Sequence, residues 1–281
     1  MKLKQKLAIG YIRLKFRLFT IISKRMAAEK AFELFCTPFM QSESKTPAIF
    51  GQAEALQFEL NGLKVNGFRW NFGQPHTILI LHGFSSSAYK FHAYIAPLME
   101  KGYQVIAFDA PAHGSSEGVT INAVQYSEMI EKVVQLYGPI KGYLAHSFAG
   151  IALSLAIEKT MHNLDTHIVL IAPATETATA VDAAFTMLNI QNTAVRKEFD
   201  NIIFERSGHT TEWFSIKRAM QQISASVLWI HDEEDDITPL ADALQVKKEH
   251  FPNIRFIITK GLGHKKIYRD ITVKKEIVDF L

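Results

Sequence analysis

A serine hydroxyl attacks a carbonyl only when a base removes its proton and nearby donors hold the charge that develops. Ser147 is the candidate nucleophile. It lies in Ala145-His146-Ser147-Phe148-Ala149-Gly150, with small residues two positions before and two after it. A sharp strand-to-helix turn leaves room for only small side chains at those places. The turn would set Ser147 at a helix N-terminus, where free amides and the helix dipole favour negative charge. An ordinary helix-capping serine is the plainer reading of the same residue. His264, in Lys260-Gly261-Leu262-Gly263-His264, is the candidate base, because two glycines let that loop curl back. Asp232-Glu233-Glu234-Asp235-Asp236 supplies carboxylates, most of which a charge run leaves in solvent. Asp165 and Asp182 also follow Ser147, but neither directly follows an expected strand. In Leu81-His82-Gly83-Phe84, Gly83 would free the backbone torsion, and the Phe84 amide, with that of Phe148, could bind an oxyanion. Asp109-Ala110-Pro111-Ala112-His113-Gly114 reads as a loop whose Asp109 and His113 bond loop amides. His113 as the base is the alternative.

These groups can meet only if the elements carrying them run in one direction. Buried strands are expected at Thr77–Leu81, Tyr103–Phe108, Ile140–Leu144, His167–Ile171, Val227–Ile230 and Ile254–Thr259. Helices are expected at Ser87–Lys101, Ala123–Tyr137, Ile151–Lys159, Pro239–His250 and Val273–Leu281. Alternation of this kind argues for an α/β protein with a mostly parallel sheet covered by helices on both faces. Ala55–Leu60 and Leu63–Phe72, joined at Asn61-Gly62, form an antiparallel hairpin. Thr175–Ile223 interrupts the alternation with helical patches at Thr179–Leu188, Thr193–Phe204 and Thr211–Ile223, and reads as a small cap. The expected organisation is an arm over residues 1–50 and an α/β domain over 51–281, with the cap at about 175–223. Phe185, Met187, Trp213, Phe214 and Ile237 are candidates for an apolar substrate pocket, with ordinary core packing the alternative for each.

Taken together, these motifs resemble the serine-nucleophile, esterase- and lipase-like members of the α/β-hydrolase superfamily over roughly residues 55–281. His82-Gly83-Phe84 resembles the oxyanion loop, the stretch around Ser147 the nucleophile elbow, His231 to Pro239 the acid loop, and Gly263-His264 the base loop. The resemblance implies a Ser147–Asp235–His264 triad and acyl-enzyme chemistry; the sequence shows no metal-ligand cluster or phosphate-binding glycine loop, so no cofactor or metal is expected. The resemblance maps the acid to Asp235. Asp232 stands where the family usually has glycine, so Asp236 and Glu233 stay open as alternatives. Alanines replace both elbow glycines. Serine rather than aspartate as nucleophile argues against epoxide hydrolase or haloalkane dehalogenase chemistry. A small-molecule ester is the expected substrate; a thioester, amide or peptide would use the same triad, and a non-catalytic binding protein could share the fold.

Composition sets outer bounds. Apolar residues make up 48% and charged residues 21%, an ordinary globular balance. The single Cys36 forms no internal disulfide and reads as a packing residue, so a reducing, cytoplasmic setting is expected. Residues 1–30 hold nine basic residues and one acid, +8, while the remainder holds 22 basic and 27 acidic residues, −5. A nucleic-acid partner would need a basic face on the folded part, and none shows. Residues 2–25 read as an amphipathic helix. Lys2, Lys6, Arg13, Arg17 and Lys24 lie on one side, and Leu7, Tyr11, Leu14, Leu18 and Ile21 on another. Such a helix either makes peripheral contact with an anionic membrane or packs along the domain with its basic side solvated. Arg13, Lys15 and Arg17 at its middle argue against a transmembrane span or a signal peptide.

Overall fold

The computed structural model describes residues 3–39 and 45–281. Lys2 and the side chains of Lys6 and Leu7 lie outside what is described. In chain order the elements that matter are helices α1 (Leu3–Ile22) and α2 (Lys24–Cys36), strands β1 (Glu54–Leu60), β2 (Leu63–Trp70) and β3 (Thr77–Leu81), helix α3 (His92–Glu100), strand β4 (Gln104–Phe108), helix α4 (Ala123–Tyr137), strand β5 (Ile140–His146), helix α5 (Phe148–Ile157), strand β6 (His167–Ile171), helices α6 (Thr177–Leu188) and α7 (Thr193–Ser207), and strands β7 (Ser226–Asp232) and β8 (Ile254–Thr259). Helices Leu240–Lys248 and Ile271–Phe280 complete the alternation.

The strands form one sheet in the order β1-β2-β4-β3-β5-β6-β7-β8. β1 pairs antiparallel with β2, and β2 antiparallel with β4; every later pair is parallel. Asn61 and Gly62 both take positive φ, 52° and 78°, the turn that matches strand twist in a tight hairpin. β3 and β4 are buried along their whole length, as strands covered on both faces must be. One side of the sheet carries Ile78, Ile80, Leu144, Val169, Ile171, Leu228 and Ile230, packed with Tyr94, Ile95, Leu98 and Ile277 from the helices. Because β3 to β8 run parallel, their C-terminal ends share one edge, and the loops carrying His82, Asp109, Ser147, Asp235 and His264 all leave from it.

The chain divides into two compact units. One takes the described residues up to Thr37 with Glu176–Ser215; the other takes Pro38–Thr175 with Ile216–Leu281. The first is helical. α2 packs on α7, and α1 on α2 and α6. Phe199 of α7 is its hub, with Phe185, Phe32 and Phe35 at ring separations of 5.2, 5.7 and 5.9 Å. Cys36 is buried, and burial pushes its thiol pKa up to about 12, in keeping with a packing role.

Some local expectations need correction. The N-terminal segment is two helices, because Ser23 turns extended (φ −158°) and caps α2 by accepting from the Met26 amide. α5 begins directly at Phe148, three residues earlier than its periodicity suggests. Thr211–Ile223 is not one helix; it is three short turns, Thr211–Trp213, Ile216–Ala219 and Met220–Gln222. The backbone is diverted at Ser215, which forms an antiparallel bridge with Glu176 and closes the inserted stretch on itself.

Candidate active site

Ser147 sits between β5 and α5 at φ 57° and ψ −123°, a region that residues other than glycine rarely enter. Three hydrogen bonds hold it there. Its amide donates to the Ile171 carbonyl at 3.0 Å, and its carbonyl accepts from Gly150 at 2.8 Å and Ala174 at 3.0 Å. Small flanking residues are required by contact. A Cβ on Gly150 would lie 2.5 Å from Cβ of Pro173, and Ala145 and Ala149 are fully buried. The Ser147 hydroxyl does not cap α5; its Oγ stands 3.0 Å from Nε2 of His264. That geometry excludes the capping-serine reading.

His264 continues the chain of contacts. Its Nδ1 lies 2.8 Å from Oδ2 of Asp235, so the neutral ring carries its proton on Nδ1 and offers a lone pair at Nε2. Gly261 and Gly263 have φ of 83° and 57°, which lets the loop after β8 fold back over the sheet edge. Asp235 is itself over-determined. Oδ1 accepts the amides of Ile237 at 2.9 Å and Thr238 at 2.8 Å, and Oδ2 lies 2.9 Å from the Thr238 hydroxyl. Burial by itself raises the pKa of this carboxyl; the bonds from His264, Thr238 and Ile237 outweigh it and leave the group below its ordinary value. Asp236 and Glu233 are exposed, and Glu233 pairs with Lys260 at 3.4 Å, so neither alternative acid meets His264.

Asp232, which occupies the place of the usual glycine, does not displace the loop. It is fully buried and braces it. Oδ1 accepts the amides of Glu234 at 3.0 Å and Gly263 at 2.9 Å; Oδ2 accepts the Thr259 hydroxyl at 2.7 Å and the Leu262 amide at 3.1 Å. Burial raises its pKa, and these four donors together bring it below the ordinary value. One carboxylate therefore ties the acid loop to the base loop, two residues from His264.

On the other side of Ser147, a Cβ on Gly83 would lie 2.9 Å from Cβ of Ser147 and 3.1 Å from Nδ1 of His146. The glycine is required by this close approach and not by its torsion, since the positive φ in this loop belongs to Ser85, at 54°. The amides of Phe84 and Phe148 have no hydrogen-bond partner among the described residues, and their rings meet edge to face at 5.5 Å. Asp109 and His113 are loop ties. Asp109 accepts the Ala88 and Ser115 amides, each at 2.9 Å, and Nε2 of His113 accepts the Ser85 amide at 2.9 Å. Burial lowers the His113 pKa to about 3, and it makes no contact with Ser147, so it is not the base.

Sequence reasoning missed two residues and the role of a third. His146 is buried, its Nε2 donates to the His264 carbonyl at 3.2 Å, and burial followed by His264 lowers its pKa to about 3. Thr238 stands 3.1 Å from Nδ1 of His264 as well as against Asp235. A threonine three residues after an aspartate and just before Pro239 is a turn signature that pointed to it. Asp232 is the third. Among the expected pocket residues, Ile237 is exposed beside Asp235. The others lie in the helical unit. Phe185 lines a cavity of about 330 Å³ with Asp182, Asn189, Asn192 and Arg196; Met187 is exposed; Trp213 stacks on His209 at 3.7 Å; Phe214 is buried.

Comparison with known proteins identifies the family and the fold. A model of the Alpha/beta hydrolase family matches residues 78–268. An uncharacterized hydrolase of Bacillus subtilis, YugF, is 31% identical over 108 residues, 37% of this chain and 39% of its own length, so the match spans about two fifths of that relative. Among solved structures, the esterase Pf2001 of Pyrococcus furiosus superposes with a TM-score of 0.63 at 18% identity, covering 88% of this chain and 97% of the esterase. The thioesterase domain from the curacin biosynthetic pathway gives 0.57 at 15%, covering 81% and 98%. At such identities the structural likeness shows the fold.

Proposed function

Because the chain belongs to the alpha/beta hydrolase family, and is therefore read as a hydrolase, we propose that it is a serine hydrolase that cleaves a carboxylic ester through an acyl-enzyme. The observation that carries this reading is the continuous line Ser147 Oγ, His264 Nε2, His264 Nδ1, Asp235 Oδ2, with steps of 3.0 and 2.8 Å. Nε2 takes the hydroxyl proton as Oγ bonds to the carbonyl carbon. Asp235 keeps the imidazole in the required tautomer and stabilises its positive charge. The carbonyl oxygen becomes an oxyanion, for which the unpartnered amides of Phe84 and Phe148 and the start of α5 are the donors at hand. The imidazolium returns its proton to the departing alcohol, leaving acylated Ser147. Water, deprotonated by the same nitrogen, then releases the acid. The Phe84 and Phe148 rings and the exposed Ile237 offer apolar contacts suited to a small or acyl-chain ester.

A thioester would be opened by the same groups, and the likeness to the curacin thioesterase domain makes it the second substrate class to test. Labelling with a fluorophosphonate probe and a matched panel of p-nitrophenyl esters and acyl thioesters decide the matter. Wild-type protein should label and turn over, and Ser147→Ala should lose labelling and roughly a millionfold in kcat. Undiminished labelling or turnover in Ser147→Ala rules out this mechanism. Wild-type protein inert to both would leave the fold serving as a binding module.

A further inference from the structure

Helix α1 is amphipathic in the reverse of the usual sense. The face turned inward carries Phe16, which is buried, with the half-buried Ile12 and Phe19 beside it, where α1 packs on α2 and α6. Two hydrogen bonds from the Arg13 guanidinium to the Met187 carbonyl, at 3.1 and 2.7 Å, fasten it to the end of α6. Tyr11, Leu14, Leu18 and Ile21, expected as the apolar face of this helix, are instead exposed, as is Ile22 beside them, all by 54 to 79%. At the helical repeat of about 100° per residue, these five fill an arc of about 100° centred roughly opposite Phe16. Ordinary surface helices turn polar side chains outward, so a continuous apolar arc there calls for a cover.

The charges say which cover. Lys15 borders the arc on one side and Arg17 on the other, and no acid occurs between Leu3 and Lys24. Among the described residues neither Arg17 nor Lys15 has an ion pair, and the Lys15 ammonium lies over the Tyr11 ring, 4.6 Å from its centre. The acids of the same unit that form ion pairs do so with other cations: Glu29 and Glu205 with Arg25, Glu33 with Lys30, Asp182 with Arg196. A second copy docked on this arc by a two-fold axis would set Lys15 and Arg17 of both chains along the same seam with no anion on either helix to meet them. An anionic lipid surface satisfies both features at once, taking the apolar arc into its acyl boundary and the two cations at its headgroups. We propose that the outer face of α1, from Tyr11 to Ile22, docks the protein on anionic membrane surfaces. The docking does not depend on the hydrolytic chemistry proposed above, and no helix among the described residues is long and apolar enough to cross a membrane.

Co-sedimentation of the full-length protein with phosphatidylcholine vesicles, with and without phosphatidylglycerol, tests this. Binding should appear with phosphatidylglycerol and fall as salt is raised. Lys15→Gln and Arg17→Gln should each weaken it about fivefold, and the triple variant Leu14→Ser, Leu18→Ser, Ile21→Ser should abolish it. All the substituted side chains are exposed, so circular dichroism and hydrolysis of a soluble ester should match wild type. Wild type that stays in the supernatant, or that binds both vesicle types equally, overturns the proposal. So does a wild-type dimer, seen by sedimentation velocity, that the triple variant disperses and that ignores vesicles; that result assigns the face to a second copy.

Discussion

Three carboxylates of the α/β unit are enclosed, whereas the acids that form ion pairs in the helical unit meet their cations at its surface. Asp109, Asp232 and Asp235 are all buried, and most of their partners are neutral: backbone amides, hydroxyls and one imidazole. In the helical unit, Arg25 meets Glu29 and Glu205 in the open, and Arg196 meets Asp182 and Asp200 at the rim. The difference is one of purpose. A buried carboxylate with four fixed donors has one position and one ionisation state, which is what proton transfer at a neighbouring imidazole needs. An exposed ion pair is screened by water and salt and fixes little.

The contrast can be broken by measurement. Asp235→Asn should cost roughly ten-thousandfold in kcat, because the amide cannot hold His264 in the Nδ1–H tautomer; ester kinetics at saturating substrate check it. Asp232→Ala should cost about a hundredfold in kcat through a shifted His264. It should also lower unfolding stability by about 3 kcal/mol, since the Leu262 and Gly263 amides lose their acceptor; denaturant titration beside kinetics separates the two effects. Acid should act on the α/β unit. His146 and His113 titrate near 3 when folded, well below the unfolded histidine value, so the unfolded chain binds protons first. Stability should therefore be full above about pH 6.5 and fall toward pH 3 by roughly 1 kcal/mol per pH unit for each histidine, with His146→Asn showing a shallower slope. Smallest of all, Arg25→Gln should leave the thermal midpoint unresolved from wild type in moderate salt. A loss there comparable to that of Asp232→Ala would dissolve the distinction between the units.

The same contrast explains what was legible in the sequence. Ser147, Asp235 and His264 stood out because each follows a strand of a parallel sheet, and a parallel sheet delivers its C-terminal loops to one edge. The order of elements and the hairpin at Asn61-Gly62 were equally local in origin. The bracing role of Asp232 is not legible, because its partners, Thr259, Leu262 and Gly263, lie about thirty residues further on and no local spacing announces them. The helical unit was hidden for a similar reason. Periodicity marks α1 as amphipathic but does not say which of its two apolar arcs, the one with Phe16 or the one with Leu14 and Leu18, faces inward. Nor does it join residues before Thr37 to Glu176–Ser215, a partnership across more than a hundred intervening positions.

The bridge between Glu176 and Ser215 bears on how chains of this kind can diverge. The Ile216 amide donates to Thr175 at 2.9 Å and the Thr177 amide to Phe214 at 3.0 Å, so the two ends of the inserted stretch lie side by side. A segment entered and left at one point can lengthen, shorten or be exchanged for another while β6 and β7 keep their register, because the flanking strands see only the spacing of the two ends. The constraint on the stretch from Glu176 to Ser215 therefore comes from the N-terminal helices that pack on it, and not from the strands it interrupts.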